Sequence, residues 1–298
     1  MSKSEIRTET HLGIANGKSA TRRRFLRRLV YFGLGAGSCD AAFVEPRWLE
    51  INRHEVPVMR GLERQPVKLL HLSDFHASWE VSLDFIAKAI RLGLDWKPDV
   101  IVLTGDFIHW RWDEVGRYAE VLSVLSEMAP TFACLGNHDG GLWAGSSRGY
   151  ADTRLVREVL SRGRVELLHN THRQVRVAGR DLALVGVGDW WAEETDAASA
   201  FAGFPKASPT LTILLSHNPD SKTVLRAWPW DLMLCGHTHG GQFRLPVIGT
   251  PFAPVQDRRY VQGLHRWEGR WVHITKGVGN LHGLRFNCRP EISLLTLA

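Results

Sequence analysis

The chain has 298 residues, of which 44% are hydrophobic, and a formal net charge of +6 at pH 7. This length and apolar content are enough for one large globular domain with a sizeable core. Residues 1–28 hold eight basic and two acidic side chains, which accounts for the whole net charge and leaves 29 of each sign in residues 29–298. A neutral body with a basic tail lacks the distributed positive charge that nucleic-acid binding requires, so nucleic acid is excluded as a partner.

The basic N-terminal segment is predicted to be a targeting or membrane-contact element. Residues 21–26 resemble a twin-arginine signal and precede an apolar stretch at 29–36. That stretch is too short to span a bilayer, which takes about twenty apolar residues. A basic, aromatic-containing amphiphile is expected instead to lie in the headgroup region of an anionic leaflet. We therefore divide the chain into an N-terminal segment, 1–45, and one folded domain, 46–298.

Five short apolar runs predict buried strands. They lie at 69–72, 100–103, 132–135, 211–215 and 232–235. Short runs rich in Leu or β-branched residues are typical of strands that are buried in a sheet. Residues 84–94 and 114–128 have apolar side chains at helical spacing between the first three runs, which predicts crossover helices between parallel strands. Further strands are expected at 174–177, 182–187 and 271–274, and a short helix at 154–160.

Each of the five runs ends in residues that can bind a metal ion. The clusters are Asp74-Phe75-His76, Gly105-Asp106, Gly136-Asn137-His138-Asp139, His217-Asn218-Pro219-Asp220 and Gly236-His237-Thr238-His239. A single Asp-x-His or Gly-Asp is more often an ordinary turn. Ligand sites of open α/β sheets, however, lie outside the carboxyl ends of the strands, so five such clusters are expected to meet in one crevice. Their oxygen and imidazole ligands indicate a metal centre.

From about residue 66 to the C-terminus, these motifs resemble those of the calcineurin-like metallophosphoesterases. The resemblance implies an α/β fold, a four-layer sandwich of two mixed β-sheets flanked by helices. It also implies two divalent ions, with manganese expected and zinc, iron or magnesium as alternatives. The first ion is then held by Asp74, His76 and His239, and the second by Asn137, His217 and His237. Asp106 is expected to bridge them, because a shared anionic ligand offsets the repulsion between two ions about 4 Å apart.

Five residues outside this ligand set have expected roles near the reaction. In the family pattern His138 lies over the leaving group, and we assign it general acid catalysis or transition-state stabilisation. Asp139 is expected either to hold the imidazole of His138 in the useful tautomer or to be a plain turn residue. Arg244, His282 and Arg285 are candidates for contacts with a substrate phosphate or sugar, and each is equally compatible with a surface group or a structural salt bridge.

Several tryptophans follow polar loops of the sequence. The candidates are Trp110, Trp112, Trp190 and Trp191. They are either ordinary packing residues or a rim around the crevice that meets a lipid or the membrane interface, where indole rings are favoured. Phe107 and Ile108 are expected to extend such a rim. Residues 45–54 and 279–291 are similar to membrane-associated members of the superfamily, which include UDP-2,3-diacylglucosamine pyrophosphatases of lipid A synthesis.

The resemblance therefore predicts a metal-dependent hydrolase with a phosphodiester or nucleotide-sugar lipid as substrate. In the preferred interpretation it cleaves UDP-2,3-diacylglucosamine to UMP and 2,3-diacylglucosamine 1-phosphate, as a peripheral protein on the cytoplasmic face of the inner membrane. One alternative is a broad-specificity phosphodiesterase that is exported by the twin-arginine route. Another is a non-catalytic scaffold with the same fold, and the presence of every expected ligand and of His138 argues against it.

Overall fold

The computed structural model describes residues 37–58, 65–204 and 211–298. The backbone divides into two units, residues 1–39 and residues 40–298, and the second unit is described below. The predicted basic and apolar segment at 1–36 lies outside the described residues, so its role and the predicted boundary at residue 45 stay predictions. Within the ranges that are described, no helix is long and apolar enough to cross a membrane.

In the described part of the chain, the first sheet has six strands. Their order is β1 (Glu50–Val56), β12 (Glu291–Leu297), β2 (Val67–Leu72), β3 (Val100–Thr104), β4 (Thr131–Cys134) and β5 (Glu166–Leu167). Neighbouring strands run parallel apart from β12 and β2, which are antiparallel. Every residue of β3 and β4 is buried. Because both faces of these strands are covered, their sequences are continuous apolar runs rather than alternating patterns.

The second sheet places its predicted ligand-bearing strands at its centre. Its order is β10 (Gly263–Trp267), β11 (Arg270–Ile274), β9 (Leu232–Cys235), β8 (Leu211–Leu215), β7 (Arg180–Gly186) and β6 (Thr171–Val177). The four inner strands are parallel, and each edge strand forms an antiparallel hairpin with its neighbour. Both sheets are therefore mixed, which confirms the predicted fold class.

Helices α1 (Leu83–Leu94), α2 (Val115–Met128) and α4 (Arg154–Arg162) cover the outer face of the first sheet. The hydroxyl of Ser82 accepts a hydrogen bond from the Phe85 backbone N–H and caps the N-terminus of α1. The buried faces of α1 and α2 pack on Leu70 and Leu103 of the sheet. These helices confirm the two predicted crossovers between β2, β3 and β4.

The outer face of the second sheet is covered by short turns instead of long helices. Helix α5 (Ala197–Ala200), on this face, is about one turn long, as is α3 (Leu142–Ser146) in the loop that follows β4. Phe201, Leu225, Trp230 and Tyr260 pack on this face, against side chains of β7, β8, β9 and β11. Between the two sheets lies a further apolar core, to which both sheets contribute Leu and Val side chains. The layers are thus helix, sheet, sheet and a layer of turns.

A short polar network crosses this apolar core. His71 Nδ1 on β2 lies 3.0 Å from His273 Nδ1 on β11, and His71 Nε2 lies 2.8 Å from the hydroxyl of Thr104. The side chains are fully buried. Burial lowers the pKa of His71 to about 3, because the apolar surroundings disfavour the charged imidazolium. The two sheets are therefore joined by neutral, hydrogen-bonded imidazoles.

The free energy of unfolding is expected to fall as the pH drops below about 6.5, in part because of His71. Between its folded-state pKa of about 3 and its ordinary value of 6.5, the unfolded chain takes up a proton that the folded chain does not. Acid therefore favours unfolding, and His71 contributes about 2 kcal/mol of the loss between about pH 7.5 and about pH 5. Urea unfolding of wild type and His71→Gln at about pH 7.5 and at about pH 5, both in the presence of a chelator, measures this loss. Equal pH dependence in the two proteins contradicts the prediction.

Candidate metal centre

The carboxyl ends of five strands carry the predicted ligands to one place. Strand β2 leads to Asp74 and His76, β3 to Asp106, and β4 to Asn137. In the second sheet, β8 leads to His217, and β9 leads to His237 and His239. Donor atoms of Asp74, His76, Asp106 and His239 lie within 4.8 Å of one another, and so do donor atoms of Asp106, His217 and His237. Asp106 thus belongs to both groups.

One carboxylate oxygen of Asp106 lies between histidines from the two sheets. Oδ2 is 3.3 Å from His76 Nε2 and 3.1 Å from His217 Nε2. On the other side, His239 Nε2 is 2.9 Å from His76 Nε2 and 3.2 Å from Asp74 Oδ1. These side chains are at most 2% exposed. Two groups of ligands therefore share a single oxygen atom at the junction of the sheets.

Burial controls the charge of these groups. It raises the pKa of Asp74 to about 7 and lowers that of His76 to about 4. Burial also lowers the pKa of His237 and of His239 well below the usual range. These three imidazoles are therefore neutral at physiological pH, with nitrogen lone pairs that are free to bind a metal ion.

Two further atoms support the same conclusion. Among the described residues, the buried atoms Asn137 Oδ1 and His237 Nε2 have no hydrogen-bond partner. An unsatisfied buried polar group costs about 1–3 kcal/mol, so both atoms need a ligand. The full set of carboxylate, amide and imidazole donors suits divalent ions such as manganese, zinc, iron or magnesium. The residues present therefore fit a centre of divalent ions.

The backbone of the ligand loops is held in an uncommon conformation. Positive φ angles occur at Asp74 (52°), His76 (46°), Asp106 (55°), His237 (69°) and His239 (50°). Such residues persist only where the surrounding structure over-determines them, and they cluster at functional sites. Neighbouring glycines permit the close approach: a Cβ atom on Gly236 would lie 2.1 Å from Asp74 Oδ2, and one on Gly136 would lie 2.2 Å from Asp106 Oδ1. The motif glycines are therefore required by contact with the carboxylates.

Asp139 supports the centre through the backbone. Its carboxylate accepts hydrogen bonds from the backbone N–H groups of Asp106 (2.9 Å), Phe107 (2.6 Å) and Gly136 (2.8 Å). It thus joins the loops that follow β3 and β4. The expectation that Asp139 orients the His138 imidazole is wrong, because the ring atom Nδ1 of His138 instead lies 2.9 Å from the His109 carbonyl oxygen.

The three candidates for substrate contact lie in different surroundings. Arg285 is fully buried, and its guanidinium donates to the backbone carbonyls of Lys276, Gly279 and Cys288. Its full burial and these backbone acceptors favour the structural alternative. Arg244 lines a surface pocket together with Trp48, Lys276 and Arg289. His282 is exposed, and its ring centroid is 5.8 Å from that of His109, beside the centre.

His109 was missed by reasoning from the sequence. Its ring stacks on His138 at a centroid distance of 5.2 Å and meets His76 edge-on at 5.3 Å. It is 3% exposed, and neither ring nitrogen has a hydrogen-bond partner in the described ranges. Burial lowers the pKa of His109 to about 2, with a further contribution from His76. Its position three residues after Asp106, in the same strand-end loop, was the available signal.

Tryptophans surround the centre, although the predicted rim was partly wrong. The Trp191 ring centroid is 4.3 Å from that of His237, and the Trp143 centroid is 4.6 Å from that of His138. Trp110 lies further out, 6.1 Å from His138 between centroids, and Trp112 packs on the helix-side core. Trp190 and Trp191 are 36% and 38% exposed. Phe107 and Ile108 are fully buried in the core and form no part of the rim.

The loop that carries these exposed rings is held by another unforeseen residue. Asp189 Oδ1 accepts hydrogen bonds from the backbone N–H groups of Trp191 and Ala192. The buried oxygen Oδ2 has no hydrogen-bond partner among the residues described. Burial raises the pKa of this carboxyl. Gly188-Asp189 follows strand β7 as Gly105-Asp106 follows β3, so the same strand-end pattern pointed to it.

The model of the family described as "Calcineurin-like phosphoesterase" matches residues 67–241. The chain therefore belongs to the calcineurin-like phosphoesterase family, and it is a hydrolase of phosphoesters with a dinuclear site for divalent metal ions. It is 42% identical to "Phosphodiesterase YaeI" of Escherichia coli (strain K12), over 93% of this chain and 99% of that relative.

Two other relatives cover most of the chain. "Uncharacterized metallophosphoesterase YkuE" of Bacillus subtilis (strain 168) is 28% identical over 94% of this chain and 98% of that protein. "UDP-2,3-diacylglucosamine pyrophosphatase LpxG" of Chlamydia trachomatis is 28% identical over 86% of this chain and 91% of that protein. The comparisons confirm the predicted family and the predicted enzyme class.

Replacement of Asp139 by Asn is expected to lower the free energy of unfolding by at least about 2 kcal/mol. The amide has one acceptor atom instead of two and leaves a buried backbone N–H unsatisfied. Because this contact orients the loops that carry Asp106 and Asn137, we also expect about 10–100-fold weaker manganese binding. Urea unfolding and calorimetric titration with Mn²⁺ measure the two effects. Asp113→Asn, at an exposed position, is the control, and equal behaviour of both variants contradicts the prediction.

Proposed function

We propose that the residues at the five strand ends hold two divalent ions. Asp74, His76 and His239 would hold the first ion, Asn137, His217 and His237 would hold the second, and Asp106 would be shared by both. The position of Asp106 Oδ2 between His76 and His217 is the observation that carries this proposal. We propose manganese because the set includes an amide and two carboxylates beside the imidazoles. When bound, such ions supply positive charge to the phosphate oxygens and lower the pKa of water.

Several contacts fix the orientation of the proposed ligands. His217 Nδ1 lies 2.6 Å from the Thr104 carbonyl oxygen and donates its proton there, which leaves Nε2 for the ion. The backbone N–H of His237 donates to Asp74 Oδ1 at 3.0 Å. Both interactions tie a ligand of the second sheet to a residue of the first. The ligand geometry therefore depends on the packing of the two sheets.

We propose that His138 delivers a proton to the leaving oxygen of the substrate. Its Nδ1 donates to the His109 carbonyl, so the transferred proton is held on Nε2. The His138 backbone N–H donates to Asp106 Oδ1 at 2.9 Å, which fixes this loop relative to the bridging carboxylate. His138 as a whole residue is 8% exposed, which leaves part of it open to a substrate. His109, stacked on the other side, restricts the orientation of the ring.

We propose UDP-2,3-diacylglucosamine as the substrate. Water attacks one phosphorus of the pyrophosphate, the bond from that phosphorus to the bridging oxygen breaks, and UMP and 2,3-diacylglucosamine 1-phosphate leave. The exposed faces of Trp190 and Trp191 support an acylated substrate, because indole rings are favoured at lipid interfaces. The name of the Chlamydia relative supports the same head group. On this proposal the basic N-terminal segment contacts the cytoplasmic face of the inner membrane.

A second candidate is a broad-specificity phosphodiesterase that is exported through the twin-arginine route. The name of the Escherichia coli relative supports this activity, and residues 21–26 support this route. The two candidates place the enzyme on different sides of the membrane. A mature N-terminus beyond Cys39 in a periplasmic fraction excludes the lipid substrate, which is a cytosolic intermediate in the first proposal.

Comparison of two substrates tests the proposal directly. The full-length chain, purified in detergent and loaded with Mn²⁺, is expected to release UMP from UDP-2,3-diacylglucosamine more efficiently than it cleaves bis-p-nitrophenyl phosphate. Trp190→Ala is expected to lower kcat/KM for the lipid about tenfold, equivalent to about 1.4 kcal/mol, with little effect on the soluble diester. Trp96→Ala is the matched control, since Trp96 precedes β3 and so lies at the end of the sheet opposite to the metal centre. Cleavage of the soluble diester alone favours the second candidate.

The proposed role of His138 predicts a dependence on the leaving group. His138→Ala is expected to lower kcat about 10²–10⁴-fold for the phenyl ester of thymidine 5′-phosphate, because phenolate leaves poorly without a proton. The p-nitrophenyl ester needs less protonation, so its loss is expected to be smaller. Metal analysis of the variant checks that its ions are retained. An equal decrease of kcat for both esters contradicts proton donation. In that case the role of His138 is to stabilise charge on the phosphate.

A further inference from the structure

A second group of metal-binding side chains lies between the two sheets. His54 on β1, His273 on β11 and Glu291 at the start of β12 each offer one donor atom, and these atoms lie within 4.8 Å of one another. His273 is fully buried, Glu291 is 2% exposed and His54 is half-buried. None of the three belongs to the ligand set around Asp106. The described structure thus brings two imidazoles and one carboxylate together from three strands.

One buried nitrogen of this group lacks a hydrogen-bond partner within the described residues. His273 Nδ1 is paired with His71 Nδ1 at 3.0 Å, whereas the buried atom His273 Nε2 has no hydrogen-bond partner among the described residues. If His71 donates from Nε2 to Thr104, then His273 donates from Nδ1 to His71, and His273 Nε2 carries a lone pair. This arrangement leaves a buried lone pair that a cation satisfies. The reverse arrangement leaves a buried N–H without an acceptor.

The other two side chains are also suited to hold a cation. Burial lowers the pKa of both His54 and His273, so both rings are neutral at physiological pH, as metal binding requires. The hydroxyl of Ser293 donates to Glu291 Oε1 and orients the carboxylate. The nearest described cation, Lys276, has its Nζ 3.8 Å from Glu291 Oε2 and forms a closer pair with Glu50. Oxygen lone pairs of Glu291 therefore remain available.

We propose that His54, His273 and Glu291 bind one divalent ion of the zinc class. Two imidazoles and one carboxylate form a donor set that zinc accepts with a fourth position left open. The ion joins the β1 and β12 edge of the first sheet to β11 of the second. His71 and Thr104 connect it to the main centre, because the Thr104 carbonyl accepts the hydrogen bond from His217.

Zinc stoichiometry of the full-length protein tests this site. Wild type, His54→Ala and Glu291→Gln are stripped of metal, equilibrated with buffered free zinc and analysed by mass spectrometry for zinc per chain. Each variant is expected to bind one zinc ion fewer than wild type. His172→Ala is the matched control: His172 is also a partly buried histidine on a strand, bonded to the Ala200 carbonyl, and lies outside the group. It is expected to bind as much zinc as wild type.

The readout is a difference between proteins, so it does not depend on how many ions the centre around Asp106 binds. Near-ultraviolet circular dichroism checks the fold of each variant, and the near-isosteric Glu291→Gln removes the charge with little change of shape. Cobalt gives a second readout, as wild type is expected to show more visible absorption per chain than either variant. Equal zinc in wild type and in a folded His54→Ala or Glu291→Gln overturns the proposal.

Discussion

The burial of Asp106 between the two sheets is the constraint on which the rest of the structure depends. Its Oδ2 atom contacts a histidine from each sheet, His76 from the loop after β2 and His217 from the loop after β8. Burial acts to raise the pKa of Asp106, but the neighbouring His217 outweighs it and holds that pKa well below the usual range. A buried carboxylate is tolerated only where it is paired or binds a metal ion, so with the proposed ligand assignment the cations would stabilise the fold as well as the site.

This constraint explains how the loops around the centre are built. Asp139 holds the loops after β3 and β4 against each other through backbone N–H groups, and the motif glycines leave room for the ligand carboxylates. The positive φ angles at the ligands concentrate strain where these contacts are densest. Strain of this kind persists because the packed sheets beneath hold the loops in place. Rigid strands with strained strand-end loops therefore give a preorganised ligand geometry.

The surroundings of the centre divide into a polar floor and an aromatic rim. His138 and His109 stack beside the ligands, and the indole rings of Trp143 and Trp191 contact His138 and His237. The stacked imidazole pair and the nearby indole rings suit the proposed substrate, a phosphoester that joins a polar head to an apolar tail. The same pair of sheets carries the proposed zinc site on its other polar network, so both sites depend on how the sheets pack.

The resemblance that the strand-end motifs carry implied the fold class, whereas the sequence patterns by themselves determined eight of the twelve described strands, the crossover helices and the motifs. These features are local: burial on both faces of β3 and β4 favours continuous apolar runs, turn geometry favours Asp and Gly at their ends, and metal binding calls for His and Asp there. Only the tertiary structure decided the contacts of Asp139 and Arg285, the burial of Phe107 and Ile108, and the position of His109. It also decided that β1 pairs with β12, strands from opposite ends of the domain. Such contacts depend on which loops and strands meet after long-range pairing, and no local period of the sequence encodes that meeting.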